Sequence, residues 1–143
     1  MAFQRWAKRK GTVGEREIIA KFWSVDGWCA HRIAGSGSSR YPSPDIIAGS
    51  PARKLAIEAK ITSGAKKYFS EDEISGLKEF ALIFGAEPWL AVKFTGTGTS
   101  AGTNTDWLFV SLEDLSASRN SCNYSISRDE IKNKGLLFEE LIK

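Results

Sequence analysis

Between Asp45 and Ile61 the apolar positions alternate with polar ones or run on in short blocks, a pattern of strand rather than helix. The stretches DIIAG and KLAIEAKI predict two strands, joined into a hairpin by the turn residues Ser50, Pro51, Ala52 and Arg53. Successive strand side chains point to opposite faces, so Leu55, Ile57, Ala59 and Ile61 share one face and Ala56, Glu58 and Lys60 the other. A carboxylate and an ammonium therefore stand side by side on an otherwise apolar strand. Asp45, at the start of the neighbouring strand, can come to meet them.

On either side of the hairpin the period changes. Thr12 and Glu15 have the spacing of a capping box, which predicts a helix from there to about Asp26, closed by Gly27, and leaves residues 1–10 as a loose basic arm. Glu15, Ile18, Ile19 and Phe22 follow the helical i, i+3, i+4, i+7 rule, so Glu15 lies at the edge of a buried stripe. Residues 28–34 read as a strand, followed by a mobile Gly/Ser loop that leads into Pro44 and Asp45. Ser70 and Glu73 form a second capping box, opening a helix over 71–84 that Gly85 ends. Its stripe of Ile74, Leu77, Ala81 and Phe84 is widened by Phe80, Leu82 and Ile83. That exceeds one core-facing stripe, so the helix is either deeply buried or shared with a second subunit. Residues 88–94 and 106–111 read as strands flanking a Gly/Thr/Ser loop, 112–115 as a helical turn and 122–127 as extended. Ser127 or Asp129 caps a closing helical segment. No repeat or linker divides the chain, which predicts one domain over residues 1–143.

Composition adds bounds. With 42% hydrophobic and 26% charged residues, the 143-residue chain is ordinary for a soluble globular domain. No apolar run reaches the roughly 18 residues of a membrane span, and the basic start lacks the apolar core of a signal peptide. A cytoplasmic protein without a membrane partner is the expectation. Cys29 and Cys122 make no metal-ligand spacing and are expected to be reduced thiols. Charge changes the picture more. Residues 1–67 carry 13 Lys/Arg against 5 Asp/Glu, a balance of +8, whereas residues 68–143 carry 7 against 12, a balance of −5. The half that holds the hairpin suits a polyanion such as nucleic acid.

The chemistry these residues support is that of a hard cation and a phosphate. Magnesium takes one or two protein carboxylates, keeps several waters and binds substrate phosphate. Asp45 and Glu58 supply the carboxylates, the carbonyl of Ala59 is a third candidate ligand, and Lys60 stands ready to orient a water or stabilise transition-state charge. Glu15 is either a capping partner of Thr12 or an extension of the acidic cluster. His31 is the only histidine, which excludes a histidine-rich metal site or a histidine dyad; it reads as a strand surface residue. Lys8, Arg9 and Lys10 in the arm, Arg40 in the serine loop, and Lys66 and Lys67 after the hairpin are candidate phosphate contacts. Arg32 is placed either to pair with an acid or to contact DNA. An E-x-K pair alone is most simply a cross-strand salt bridge; Pro44-Asp45 twelve residues ahead of it makes a cation site the sharper reading.

These motifs carry a resemblance. The stretches RKGTVGERE, IAGSGSSRYPSPDIIA, LAIEAK and EFALIFGAEPWLAVKF, spanning roughly residues 8–95, resemble the archaeal Holliday junction resolvase family (Hjc and Hje) of the PD-(D/E)xK superfamily. The resemblance implies an α/β, restriction-endonuclease-like fold with a central mixed β-sheet flanked by α-helices. It also implies a homodimer, a nucleoid-associated location and magnesium-dependent cleavage of four-way DNA junctions by paired symmetric nicks, with manganese as a substitute ion. By position it assigns catalysis to Glu15, Asp45, Glu58 and Lys60, with Glu15, Asp45, Glu58 and Ala59 around the metal. Arg16 and Arg32 match basic positions for DNA binding or catalysis, and Ser36 or Ser38 matches an active hydroxyl in a junction-contacting loop. The helix 71–84 matches a dimer helix, with Ile74, Leu77, Phe80, Ala81 and Phe84 as interface residues. A Gly/Thr/Ser insertion at 96–105 and a distinct C-terminal third depart from the family pattern. The competing readings are another nuclease of the same superfamily (restriction, mismatch or repair type), a non-catalytic DNA-binding module in which Glu58 and Lys60 form a structural ion pair, and a protein-interaction module using the 71–84 helix.

Overall fold

The computed structural model describes residues 2–95, 106–118 and 123–143, with side chains from residue 11 onward. Helix α1 (Ala2–Trp23) leads into β1 (Cys29–Arg32), and β2 (Ile46–Gly49) and β3 (Lys54–Thr62) follow as the expected hairpin. Strand β4 (Lys66–Ser70) runs directly into α2 (Glu71–Phe84), which returns the chain to β5 (Glu87–Phe94); β6 (Leu108–Ser111) then pairs back on β5. The chain closes with β7 (Ser116–Ala117), β8 (Asn123–Ser127), α3 (Arg128–Lys134) and α4 (Phe138–Leu141).

Five strands make the main sheet in the order β1-β2-β3-β5-β6. β1, β2 and β3 form an antiparallel meander, whereas β3 and β5 are parallel from Leu55↔Glu87 to Thr62↔Phe94. A parallel pair needs a crossover, and the segment β4–α2 supplies it. The sheet is thus mixed and covered by helices, the α/β architecture that the sequence resemblance implies. Interleaved with the strands of this sheet in the chain, β4, β8 and β7 pair as a small antiparallel second sheet, order β4-β8-β7, which the sequence did not predict.

The alternation along β3 divides the core in two. Leu55 and Ile57, with Ala91 and Phe109, face Ile18 and Phe22 of α1 and Phe138 and Leu141 of α4. Ala56, with Leu90, Val92 and Val110, faces Ile74, Leu77 and Ala81 of α2, and Phe69 and Ile126 of the second sheet. Glu58 and Lys60 share the parity of Ala56 and so look toward α2. This assigns the wide stripe of that helix. Ile74, Leu77 and Ala81 are buried in the protein's own core, which corrects the expectation that they line a dimer interface. What α2 exposes is Leu82 (84%), Ile83 (79%) and Phe84 (48%), with half-buried Phe80 stacked on Phe84.

Helix α1 also departs from expectation. It starts at Ala2, and Thr12 lies inside it, so no cap forms at Thr12 and the segment expected to be loose is helical. The reason is local: AFQRWAKRK is rich in good helix formers, and Gly11 and Gly14 each cost only about 1 kcal/mol. The predicted box at Ser70 does form, with both reciprocal bonds to Glu73, and so does one at Ser127 with Glu130. Gly14 faces the sheet, where a Cβ would lie 2.8 Å from Ile61 Cδ1 and 2.9 Å from Trp107 Cζ2. Trp107 cannot easily yield, since it is buried and donates its indole N–H to Glu17 at 3.0 Å. Gly14→Ala is therefore expected to destabilise by about 1–3 kcal/mol in spite of alanine's helix propensity. A thermal melt checks this, and an increase in Tm would mean that α1 does not pack this closely.

Among the described residues no helix is long and apolar enough to cross a membrane. Cys29 is free and exposed; Cys122 and the insertion 96–105 lie outside the described residues.

Candidate active site

The site grows from Asp45, the one buried charged side chain among the described residues, at 8% exposure. Its backbone is locked from both sides: Asp45 N–H donates to the Ile57 carbonyl (3.1 Å), and its own carbonyl accepts from Ile33 N–H (2.8 Å). The carboxylate is held as firmly. Oδ1 accepts from the Ser36 hydroxyl at 2.7 Å and Oδ2 from the Ala59 N–H at 2.9 Å. The hydroxyl comes from a short 3-10 turn over Ser36–Ser38 whose preceding Gly35 has φ +73, a left-handed conformation that glycine adopts freely. The two candidate serines of the loop have different partners. Ser36 touches Asp45, whereas Ser38 turns back to bond the Gly35 carbonyl.

Glu58 reaches the same place from β3 and is hydrogen-bonded to Asp45. Burial, that hydrogen bond and the negative charge of Asp45 push the Glu58 carboxyl up to about 9, against the opposing pull of Lys60. Lys60 Nζ lies 3.7 Å from Glu58 Oε1 and 3.4 Å from Glu73 Oε1. Burial works to lower the Lys60 ammonium, but the charges of Glu58, Glu73 and Asp45 outweigh it and hold it above its ordinary value. Glu73 is the participant that sequence reasoning missed. Its capping box was legible, but its second partner depends on α2 folding over the Glu58–Lys60 face of β3, a contact across the fold.

Glu15 arrives from α1, and its carboxylate accepts from Arg32 Nε of β1 at 2.5 Å. Burial and the charge of Asp45 raise the Glu15 carboxyl, and Arg32 and Lys60 oppose them. Of the two readings left open for Arg32, the pairing with an acid is the one observed. Glu15 thus sits beside the pair in electrostatic reach, on a partner of its own, and not in the Thr12 cap.

The remaining candidates are spread more widely. Arg16 and Arg40 are exposed, and Lys66 (exposed) and Lys67 (half-buried) lie on β4. The side chains of Lys8, Arg9 and Lys10 lie outside the described residues. His31 is exposed on β1 with its ring edge-on to Trp23, as expected of a strand surface residue.

Among the described residues no group of three or more His, Cys, Asp or Glu gathers as a metal cluster. The donor set is two carboxylates, Asp45 and Glu58, and the backbone of Ala59, whose N–H already faces Asp45. In a strand the carbonyl of a residue faces the same side as its N–H. An all-oxygen set with only two carboxylates fits magnesium, which fills the rest of its shell with water and phosphate. The Glu58 carboxyl, raised by burial first and by Asp45 after it, is a group that a cation between the two carboxyls would return to its charged form.

The chain is similar to known proteins over most of its length. The family model described as archaeal Holliday junction resolvase (hjc) matches residues 6–143. The crossover junction endodeoxyribonuclease Hjc of Methanocaldococcus jannaschii is 34% identical over 134 residues, 94% of this chain and 87% of that protein. The Hjc protein of Archaeoglobus fulgidus is 45% identical over 86 residues, 60% of this chain and 62% of its own length, so that alignment spans less than two thirds of the relative. The solved structure of A. fulgidus Hjc, described as a Holliday junction resolvase from an archaeal hyperthermophile, superposes with a TM-score of 0.75 at 34% identity, covering 90% of this chain and 94% of that one.

Proposed function

The chain belongs to the archaeal Holliday junction resolvase family, and we propose that it is a magnesium-dependent endonuclease that resolves four-way DNA junctions by paired symmetric nicks. The observation that carries this reading is the meeting of Asp45, Glu58 and Lys60 on one face of a hairpin, in the basic half of the chain.

Asp45, Glu58 and the Ala59 carbonyl would hold the ion. When bound it supplies a Lewis acid for the phosphodiester and lowers the pKa of its water. Ser36 and the Ala59 N–H keep Asp45 aimed, so that no reorganisation is needed when the cation and phosphate arrive. Lys60 places its ammonium against the phosphate charge that develops as water attacks. Glu15 and Arg32 form an outer pair, in which the carboxylate would add negative charge beside the ion and the guanidinium would be available to the DNA backbone. Arg16, Arg40, Lys66 and Lys67 contact phosphates, and Lys8, Arg9 and Lys10 add to the positive charge of this half of the chain. Contacts of this kind fix position on the junction without reading bases.

A two-fold dimer would present two such sites to a junction of near two-fold symmetry. The surface that suits a second copy is Leu82, Ile83 and Phe84, continuous with a groove of about 440 Å³ lined by Trp28, Ile47 and Pro51. The double substitution Leu82→Glu with Ile83→Glu is expected to convert a dimer to monomers in sedimentation velocity. A dimer that persists moves the interface elsewhere. A protein acting on chromosomal junctions belongs in the cytoplasm, at the nucleoid.

The test of the function is direct. End-labelled four-way junctions and linear duplexes of the same arms, incubated with and without magnesium, are resolved on a denaturing gel. Paired nicks are expected in the junction alone and only with the cation, with manganese as a substitute. Equal cutting of the duplex would favour a repair or restriction role, and binding without cutting a non-catalytic module.

A further inference from the structure

Glu73 closes a helix cap and touches the site with the same carboxylate. Oε2 accepts the Ser70 backbone N–H at 2.9 Å, while the Glu73 N–H donates to the Ser70 hydroxyl at 3.1 Å. That box accepts glutamate or glutamine equally well, so its negative charge is surplus to capping. Oε1, the atom the cap uses least, is the one 3.4 Å from the Lys60 ammonium.

We infer that Glu73 is a positioning residue for the proposed cleavage: it holds the ammonium of Lys60 in place beside the Asp45–Glu58 pair and ties that placement to the first turn of α2. The inference rests on the nuclease reading of the site. A lysine stem has four rotatable bonds, and one anionic neighbour leaves its ammonium free to sweep an arc. Here there are two, Glu58 from the same strand at 3.7 Å and Glu73 from the helix above at 3.4 Å. Glu73 is itself prevented from swinging, because its other oxygen is committed to Ser70. The helix carrying it is anchored in turn, as Ile74 and Leu77 pack into the core that contains Ala56, on the face of β3 shared with Glu58 and Lys60. The rigidity of the α2 start is therefore passed to a side chain that would otherwise be mobile. A misplacement of about 1 Å at a reacting group costs on the order of a hundredfold in rate.

Three substitutions test this, with single-turnover cleavage of a saturating four-way junction and the junction Kd measured separately. Glu73→Ala is expected to lower the rate about tenfold to a hundredfold, as partners of this kind do, with Kd within about twofold. Ser70→Ala removes the hydroxyl half of the cap and leaves the ion pair, and is expected to stay near wild type. Glu73→Gln, which keeps the cap and an acceptor but no charge, is expected between the two. A Glu73→Ala rate within about twofold of wild type overturns the inference, and so does a Ser70→Ala loss as deep as that of Glu73→Ala, which would assign the effect to helix capping. A second readout needs no cleavage. The Lys60 ammonium resonance in ¹⁵N-resolved NMR is expected to move toward that of exposed lysines in Glu73→Ala and to stay in place in Ser70→Ala; an unmoved resonance in Glu73→Ala overturns the inference. A wild-type protein that cuts no junction removes the nuclease reading, while the NMR result still decides whether Glu73 holds Lys60.

Discussion

Asp45→Asn and Glu58→Ala each lower the single-turnover rate of junction cleavage by at least about 10³-fold, and leave junction affinity within about threefold. The asymmetry between rate and affinity follows from position. Asp45 is buried and Glu58 largely so, and both would meet the phosphate only through the ion; the exposed cations that contact phosphates directly, Arg16, Arg40 and Lys66, are untouched. Asp45→Asn preserves shape and retains one acceptor for either Ser36 or the Ala59 N–H, but removes the charge that draws a cation. Glu58→Ala removes the other half of the pair. The two differ in what they do to the fold. Because the Glu58 carboxyl is pushed up to about 9 by burial and by Asp45, its presence strains the folded state at neutral pH. Glu58→Ala should therefore melt no lower than wild type, a gain in stability at the expense of function. Differential scanning calorimetry beside the cleavage assay separates this from simple unfolding. Unchanged cleavage in both variants would take the proposed site away.

That the pair was visible in the sequence has a physical reason. Strand side chains alternate with a period of two, so once KLAIEAKI is a strand, Glu58 and Lys60 must share a face and Ala59 must oppose them. The hairpin loop then fixes the partner register, Ile46↔Ile57, and with it the arrival of Asp45 beside Ala59. Helical period is less informative about environment. It marked Ile74, Leu77, Ala81 and Phe84 as one stripe but not which residues met the protein's own sheet. In the structure Ile74, Leu77 and Ala81 turn inward, while Leu82 and Ile83 carry the exposed apolar surface.

What the sequence left hidden depends on contacts between distant segments. Thr12 and Glu15 have a capping spacing, yet nothing upstream stops a helix built from alanine, lysine and arginine, so Glu15 is released from the cap to pair with Arg32. The strand β4 was passed over because KKYF carries little alternation, and its partner β8 lies some 60 residues on. Glu73 illustrates the same limit. Its local role was readable from Ser70, and its role at the site was not.

Lys60→Met is expected to reduce the cleavage rate by about 10²- to 10³-fold, and Lys60→Arg to recover a substantial part of that loss. Methionine preserves the length of the stem and the packing of its methylenes, so the change is essentially the removal of one positive charge. That charge is set among three carboxylates, those of Glu58, Glu73 and Asp45, which together hold the ammonium above its ordinary value against the opposing effect of burial. A lysine kept protonated in this way is suited to stabilise negative charge on phosphate rather than to take a proton from water. Arginine, which retains charge in all accessible conditions, distinguishes the two roles. Recovery by Lys60→Arg supports electrostatic stabilisation, whereas an arginine variant as slow as the methionine one supports a base. The methionine variant also leaves Glu58 and Glu73 without their shared cation, so its junction Kd must be measured beside its rate. A Kd that weakens as far as the rate falls would mean that Lys60 binds DNA and takes no part in the chemical step.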